Sequence, residues 1–168
     1  MSGSRTFRLA AVFLVLAFTA GCDQATKHLA RTELSQVGST FLPGGFIELS
    51  LAENPGAFLS LGASLPETAR GILSAGVAVG LAALLLYLLR AKGLHWFSFL
   101  GFVLIWAGGM SNSIDRFARH GLVTDFIIMR IGPLHTGVFN LADLSIVAGT
   151  LMLVLSLRTR RKPAQSAG

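Results

Sequence analysis

Apolar residues in this chain are gathered into four long runs, and polar residues occupy the segments between them. The runs cover approximately residues 9–27, 69–89, 96–112 and 138–157. Each is close to the roughly 20 residues that a helix needs to cross a bilayer. Because backbone N–H and C=O groups must be hydrogen-bonded within lipid, the runs predict helices. We expect an all-α membrane protein with four transmembrane helices, built as a single integral-membrane domain over residues 1–168.

The segment between the first two runs follows a different pattern. Pro43-Gly44-Gly45 and Glu53-Asn54-Pro55-Gly56 are typical of turns. Between them, residues 46–51 are β-prone and partly alternate apolar with polar side chains. We therefore expect a small β cradle over residues 40–61, lying on the outer (periplasmic) face of the membrane.

Charge sets the expected orientation of the helices. The basic residues that flank the runs are Arg5, Arg8, Arg90, Lys92, Arg158, Arg160, Arg161 and Lys162, and no acidic residue lies among them. All 8 acidic residues lie at or beyond the opposite ends of the runs. Because positively charged flanks stay in the cytoplasm, both termini are expected there, with residues 158–168 as a cytoplasmic basic tail. Residues 23–68 and 111–137 then face outward.

Composition supports a membrane protein. Apolar residues make up 52% of the chain and charged residues 13%, which is far from a soluble domain. The net charge of +6 does not indicate a nucleic-acid partner, because the basic excess lies in the flanks where topology requires it. We interpret the basic tail as a topology anchor, with contact to anionic membrane lipid as the alternative.

The N-terminus allows two interpretations. Met1–Cys22 has the basic start and apolar run of a secretory signal, and it ends like a lipobox. However, Thr19 occupies the position where a lipobox has an aliphatic residue, and Asp23 and Lys27 continue at helical spacing. We expect an uncleaved first helix. Cys22 is the only cysteine, so no intrachain disulfide is possible.

Three polar stretches lie inside or beside the last two runs, at 112–116, 123–126 and 139–143. An Asp at the centre of a membrane helix costs roughly 2.5–3.5 kcal/mol, so a chain that keeps Asp125 and Asp143 near its hydrocarbon is expected to use them. Asp143 is predicted about a turn and a half into the fourth helix, where the helix dipole favours a negative charge. We expect the two carboxylates to meet at one level, just below the outer surface.

Two close carboxylates suit acid–base chemistry. They cannot both ionise comfortably, so the pair holds one proton. One member can then activate water while the other protonates a leaving amine, as in peptide hydrolysis by the aspartic route. Asn112 and Asn140 offer amide groups beside the pair, and Asp115 and Arg116 are expected to pair with each other. For that ion pair, a cap on the third helix and a role toward substrate both stay open.

The sequence lacks the motifs of zinc-dependent, serine-nucleophile and phosphate-binding sites. Its 4 histidines (His28, His95, His120 and His135) are scattered, and none forms the His-Glu-x-x-His pattern of a zinc helix. There is no Gly-x-Ser-x-Gly elbow and no glycine-rich phosphate loop.

Glycines inside the runs predict close helix packing, because they let two backbones approach each other in lipid. The second run contains a small-xxx-small pair, and the third and fourth runs contain further glycines. These residues are Gly76, Gly80, Gly101, Gly108, Gly109 and Gly149.

Taken together, the polar stretches resemble the lipoprotein signal peptidase (signal peptidase II) family, the membrane aspartyl proteases of bacteria. The resemblance covers almost the whole chain and rests on five stretches in the family's order. They are Asp23-Gln24-Ala25-Thr26-Lys27, Asn54-Pro55-Gly56-Ala57, Gly108-Gly109 with Asn112-Ser113-Ile114-Asp115-Arg116, Val123-Thr124-Asp125-Phe126, and Phe139-Asn140-Leu141-Ala142-Asp143. One stretch alone would be weak, but five in order on a frame of four spans are specific.

The resemblance implies a role for each residue of the candidate site. Asp125 and Asp143 would form the catalytic dyad. The residues that would bind and position substrate are Asn54, Gly56, Asn112, Arg116 and Asn140. Asp23, Lys27 and Asp115 would support the site structurally.

The resemblance also implies a reaction and a location. The family removes the signal peptide from diacylglyceryl-modified prolipoproteins and cleaves just before the lipidated cysteine. It acts in the bacterial inner membrane, is inhibited by the cyclic lipopeptide globomycin, and uses no metal or organic cofactor. Because the predicted site is complete within one chain, we expect a monomer.

Two positions depart from the family pattern. Ser111 stands where the family usually has Gly, and it is expected to crowd the close backbone approach there. Phe58 arrives one position early in the stretch 54–60, which alters the expected shape of the cradle.

These departures keep open a non-catalytic homologue that holds lipidated peptides without cleaving them. A second alternative is a proton-coupled transporter that uses the carboxylates as a relay. A relay would need ionisable groups across the whole membrane depth, whereas here they cluster at one face.

Overall fold

The computed structural model describes residues 5–56, 62–91 and 93–160. Within them the chain forms helices and a small sheet, in the order α1 (Arg5–Val37), β1 (Ser39–Phe41), β2 (Ile47–Asn54), α2 (Glu67–Arg90), α3 (Trp96–Ala118), β3 (Val123–Ile131), β4 (Leu134–His135) and α4 (Leu141–Arg160). Several positions discussed above lie outside the described residues. They are Ala57 and Phe58 at the cradle, the flanking Lys92, and residues 161–168 of the tail.

In the described part of the chain, four helices are long and apolar enough to cross a membrane. Large apolar side chains such as Phe18 on α1 and Ile72 on α2 point outward, with 75% and 73% of their surface exposed. An apolar exterior of this kind belongs in lipid rather than in water. The predicted fold class, four transmembrane helices with a small sheet, is confirmed.

The first helix is longer than its apolar run predicted. It continues without a break through Cys22 and past residue 27 to Val37. The extension is amphipathic, and Ala30 and Leu34 bury their side chains against Phe126 of β3. The extended α1 thus supports the sheet, and it ends at Val37 rather than at the predicted residue 27.

The last two helices also differ from their predicted bounds. α3 extends to Ala118, so residues 112–116 lie on its final turns. α4 begins at Leu141 instead of residue 138, because the preceding residues pair with the sheet. Asp143 therefore lies in the first turn of α4, and the prediction of a turn and a half was wrong.

The sheet is antiparallel, with strand order β1-β2-β3-β4. The predicted cradle supplies β1 and β2, joined by a turn in which Gly44 and Gly45 adopt φ values of 99° and 73° that favour glycine. β3 and β4 come from the segment between α3 and α4 and complete the sheet. In the central pair, Ala52 of β2 lies opposite Asp125 of β3.

Helix packing centres on α3 and α4. A side chain at Gly101 would approach the carbonyl oxygen of Gly149 to 2.9 Å, and one at Gly108 would collide with that of Ala142. Here the prediction of close packing through glycines is confirmed. For Gly76 and Gly80 on α2 it is wrong, because no atom lies within 4 Å of where their side chains would begin.

The end of the bundle away from the sheet is apolar. Its buried cluster joins all of the first three helices and contains Val12, Leu81, Leu88, Phe99, Val103 and Trp106. At the same end, the guanidinium of Arg8 donates to the carbonyl oxygens of Ala91 and Leu94 at 2.8 and 3.0 Å. The start of α1 is thereby fixed to the connection between α2 and α3.

Candidate active site

Asp125 lies on β3 and is almost fully buried, with 1% of its surface exposed. Its two carboxylate oxygens accept hydrogen bonds from two asparagine amides. Asn54, at the end of β2, donates to Oδ2 at 2.8 Å, and Asn140 donates to Oδ1 at 2.6 Å. The carboxylate is therefore held from both sides in a fixed orientation.

Burial raises the pKa of Asp125 to about 6. The hydrogen bond from Asn54 opposes this rise, the negative charge of Asp143 adds to it, and the hydrogen bond from Asn140 opposes it again. An aspartate whose pKa lies this close to neutrality can gain or lose a proton at physiological pH, as a general acid or base must.

Asp143 is held by the start of α4. Asn140 is the residue before the helix, and its Oδ1 accepts from the Asp143 N–H at 3.0 Å. In return, the Asn140 N–H donates to Oδ2 of Asp143 at 3.3 Å. This reciprocal pair has the geometry of a capping box. The other carboxylate oxygen, Oδ1, accepts from the side-chain amide of Asn112 at 2.9 Å.

Asn140 connects the two aspartates. Its amide nitrogen donates to Asp125 while its oxygen caps Asp143. Its position follows from the backbone, because Phe139 pairs with Ile127 of β3 through N–H···O bonds of 2.9 Å in both directions. The structure thus brings together the two carboxylates that the sequence predicted would meet.

A buried lysine lies below the pair. The Nζ of Lys27 is 2.7 Å from Asp23, 3.0 Å from Asp115 and 2.9 Å from Oδ1 of Asn112. None of the lysine surface is exposed, and the predicted spacing of Asp23 and Lys27 on one helix face is confirmed. Through Asn112, this charged cluster reaches Asp143.

The predicted ion pair between Asp115 and Arg116 was wrong. Adjacent residues on a helix point about 100° apart, so the two side chains diverge. Asp115 turns toward Lys27, while Arg116 turns toward the turn after β2 and donates to the carbonyl oxygen of Gly56 at 2.7 Å. Oδ1 of Asn54 accepts from the Gly56 N–H at 2.8 Å, so this turn is fixed beside the aspartates.

Two polar residues that the sequence did not single out, Gln24 and Thr124, join the site, together with Ser111. Gln24 donates to Asp115 at 2.9 Å, the N–H of Thr124 donates to Asp115 at 3.1 Å, and Ser111 donates to Asp23 at 2.7 Å. Gln24 lies three residues before Lys27, a helical spacing that could have indicated its role. Ser111 is fully buried on the side of α3 that contacts α1.

Two cavities lie near the site, and Asp143 lines the smaller of them. One, of about 160 Å³, is lined by Asp143, Asn112 and Arg116 together with apolar residues of α2 such as Leu73 and Val77. A second, of about 370 Å³, lies between α2 and α3 at the end near the sheet, and Arg116 lines both cavities. The arrangement places a pair of carboxylates beside an apolar cleft within a membrane bundle.

Comparison with known proteins gives one consistent result. The family model described as signal peptidase (SPase) II matches residues 14–159. Proteins named lipoprotein signal peptidase are similar along nearly their full length. That of Syntrophus aciditrophicus is 33% identical, with 83% of this chain and 87% of that protein covered. That of Solibacter usitatus is 36% identical, with 89% and 92% covered.

Solved structures agree on the fold. A bacterial membrane enzyme determined by the in meso method at 2.3 Å superposes with a TM-score of 0.73 at 24% identity, covering 95% of both chains. Another bacterial membrane enzyme, determined by the same method at 1.9 Å, gives 0.74 at 25% identity, covering 88% of this chain and 92% of that one. The helices and the sheet therefore have a counterpart in experimental structures.

Proposed function

Because the chain belongs to the signal peptidase II family, we propose that it is an intramembrane aspartyl endopeptidase that removes signal peptides from lipoprotein precursors. Its substrates are diacylglyceryl-modified prolipoproteins, which it cleaves just before the lipidated cysteine. One observation carries the proposal. Asn140 holds both buried aspartates, Asp125 through its side-chain amide and Asp143 through the helix cap, beside a cleft in a membrane bundle.

In the proposed mechanism, the pair of aspartates shares one proton. The ionised member takes a proton from a water molecule, which attacks the carbonyl carbon of the scissile peptide bond. The protonated member then gives its proton to the leaving nitrogen, and the bond breaks without a covalent enzyme intermediate. The raised pKa of Asp125 supports this sharing, because it keeps the cost of either protonation state low near neutrality.

The neighbouring residues orient the pair and the substrate. Asn54 and Asn140 fix the Asp125 carboxylate, and Asn112 fixes that of Asp143. Arg116 lines both cavities and holds Gly56, so we assign it to positioning the substrate backbone. Preorganised donors of this kind are worth more in a water-poor cleft than in solution.

Asp23, Lys27 and Asp115 support the site as a buried charge cluster. The lysine is bonded to both carboxylates and to Asn112, so it joins α1 to α3 directly beneath the aspartates. This contact supports a positioning role, since Lys27 reaches Asp143 through Asn112.

We further propose that both termini are cytoplasmic and that the site lies near the periplasmic face of the bacterial inner membrane. The basic flanks and all of the acidic residues occupy opposite ends of the helices, which supports this orientation. The membrane domain comprises the whole chain, 1–168, with residues 158–168 as a cytoplasmic basic tail. The site is built from one chain, which supports a monomer.

A lipid-facing site suits such a substrate. The precursor carries an apolar signal helix and two acyl chains, so it arrives sideways through lipid rather than from water. The cleft between α2, α3 and α4 has an apolar wall that supports this route. Globomycin, an amphiphilic peptide, is proposed to occupy the same cleft.

A proton relay is the less favoured function. A relay would need ionisable side chains along the path from one membrane face to the other. Instead, the half of the bundle away from the sheet is filled by an apolar cluster that includes Leu88, Phe99 and Val103. A proton that entered at the sheet end would therefore find no ionisable side chain in this cluster to carry it beyond Asp125 and Asp143.

Cleavage of a defined precursor tests the proposal. We would incubate the purified protein in lipid with a diacylglyceryl prolipoprotein and, in parallel, with the same precursor lacking the lipid. We expect mass spectrometry to show a released signal peptide ending just before the lipidated cysteine, only with the lipidated precursor, and no release with globomycin. A folded protein that binds globomycin but releases no peptide would instead indicate a non-catalytic binder.

A further inference from the structure

The hydroxyl of Ser111 is fully buried in α3 and contacts α1 twice. Its Oγ lies 2.7 Å from Oδ2 of Asp23 and 3.2 Å from the amide nitrogen of Gln24. A carboxylate only accepts, so the single hydroxyl proton must point to Asp23. The Gln24 amide must then donate to a lone pair of the same oxygen. The directions of both hydrogen bonds are therefore determined.

The first of these bonds leads to Asp143. Asp23 uses its other oxygen, Oδ1, to accept from the N–H of Ala142 at 2.9 Å. That N–H belongs to the first turn of α4, where backbone donors lack partners within the helix. Asp23 thus fixes the backbone one residue before Asp143. The Ser111 hydroxyl holds the Asp23 carboxylate in the orientation that this contact requires.

The second bond leads to Asp125. The nitrogen of Gln24 that donates to Ser111 also donates to Oδ1 of Asp115 at 2.9 Å. The other oxygen of Asp115 accepts from the N–H of Thr124 at 3.1 Å. Thr124 is the residue before Asp125 on β3. A change in the position of Gln24 is therefore transmitted to the strand that carries the second aspartate.

We propose that the Ser111 hydroxyl, as the junction of these two hydrogen-bond chains, is a positioning group that sets the relative placement of Asp125 and Asp143. The inference rests on the proposed function and adds a residue to it.

The effect should be on the rate of the chemical step and not on substrate binding. Ser111 lies on the α1 side of α3 and lines neither cavity. Its hydroxyl bonds to Asp23 but contacts neither Asp125 nor Asp143 directly. Loss of the hydroxyl leaves Asp23 with Lys27 and Ala142, and leaves Gln24 with Asp115. The fold is thereby retained, while small displacements of reacting groups cost large factors in rate.

The test is to measure kcat and KM for the lipidated precursor with Ser111→Ala and Ser111→Gly. Ser98→Ala is the matched control, since Ser98 is also buried on α3 but lies at its other end. We expect both Ser111 variants to lower kcat by roughly tenfold with KM within about twofold of wild type. The Ser98 variant should keep both constants.

Two substitutions are compared at Ser111 so that loss of the hydroxyl can be distinguished from a folding defect. Alanine preserves helix propensity, and glycine avoids any steric conflict. Unchanged kcat in both variants, or a loss matched by a smaller folded fraction, would overturn the positioning role while leaving the proposed function intact. Wild-type protein that cleaves nothing would overturn both together.

Discussion

The two ends of the helix bundle are held together by different kinds of contact. Away from the sheet, the helices meet mainly through apolar side chains such as Leu88 and Phe99, and the described charged contact there is that of Arg8 with two carbonyl oxygens. At the sheet end, Asp23 and Asp115 are buried with Lys27, and each forms an ion pair with it. Apolar contacts hold helices together but tolerate sliding, whereas hydrogen bonds fix direction. The end that carries the aspartates is the one that needs fixed directions.

The two kinds of contact also predict different costs when a residue is substituted. A buried ion cluster is costly to assemble, and it becomes strongly destabilising when one partner is removed and a charge is left uncompensated. An apolar contact loses only the area and packing of the atoms removed. Substitutions at the two ends should therefore differ in the size of their effect on the free energy of unfolding.

The largest effect is expected from Lys27→Met, which leaves two buried carboxylates without their cation. We expect a loss of about 3–5 kcal/mol in the free energy of unfolding, measured by denaturant in detergent micelles. Leu88→Ala at the apolar end is the counterpart, with an expected loss of about 2–4 kcal/mol. Raising the pH should not change which of these two variants loses more stability. A Lys27→Met variant as stable as wild type would show that the ion cluster does not contribute to the free energy of unfolding.

A smaller effect is expected where α3 and α4 touch. A side chain at Gly149 would meet Ile105 at 2.9 Å, so Gly149→Val must separate the helices and should cost about 1–3 kcal/mol. Gly80→Val is the control, because space is open around Gly80. Equal unfolding midpoints for the two variants would refute the close contact.

The next prediction concerns Asp125 and pH. Its folded pKa of about 6 lies above the ordinary value of 3.8 for an aspartate. The folded state therefore binds the proton more tightly, and this carboxyl contributes stability that is fully present below the unfolded pKa and is lost as pH rises through about 6. Asp125→Asn removes the titration. Its Tm relative to wild type should be higher at pH 8 than at pH 5 by about 3 °C. A difference that is the same at both pH values would contradict the raised pKa.

The smallest effect is expected at the surface of the sheet end. Arg119 and Glu53 form an ion pair of 2.6 Å, with side chains 32% and 31% exposed. Solvent weakens such pairs, so Glu53→Gln should cost less than about 1 kcal/mol, and added salt should reduce the difference further. A loss comparable with that of Lys27→Met would mean that burial is not what distinguishes the two kinds of charge.

The sequence predicted the helices and the pairing of the aspartates for the same reason. Lipid requires long apolar runs and makes isolated charges costly, so both features stand out in the pattern. Asp125 and Asp143 were identifiable as a pair because each lies in a polar stretch beside an apolar run. Asp23 and Lys27 were identifiable because a spacing of four places them on one face.

The sequence did not reveal the strand that carries Asp125. Residues 123–128 of β3 are buried or nearly so on both faces, so the alternation typical of a half-exposed strand is missing. The partner of Asp115 was also hidden, because Lys27 is far away in sequence and Arg116 is adjacent. Likewise, Gly76 and Gly80 match a packing motif on a helix face that has no partner in the described part of the chain.

The most direct test of the central claim is the cleavage rate of Asp125→Asn and of Asp143→Asn on a diacylglyceryl prolipoprotein, with Glu53→Gln as the control. Asparagine keeps the shape of the side chain but can neither accept the proton from water nor pass one to the leaving nitrogen. We expect each variant to remain folded and to lose at least about 10³-fold in rate, while the control keeps its activity. Cleavage by either variant within about tenfold of wild type would contradict the assignment of this pair as the catalytic centre.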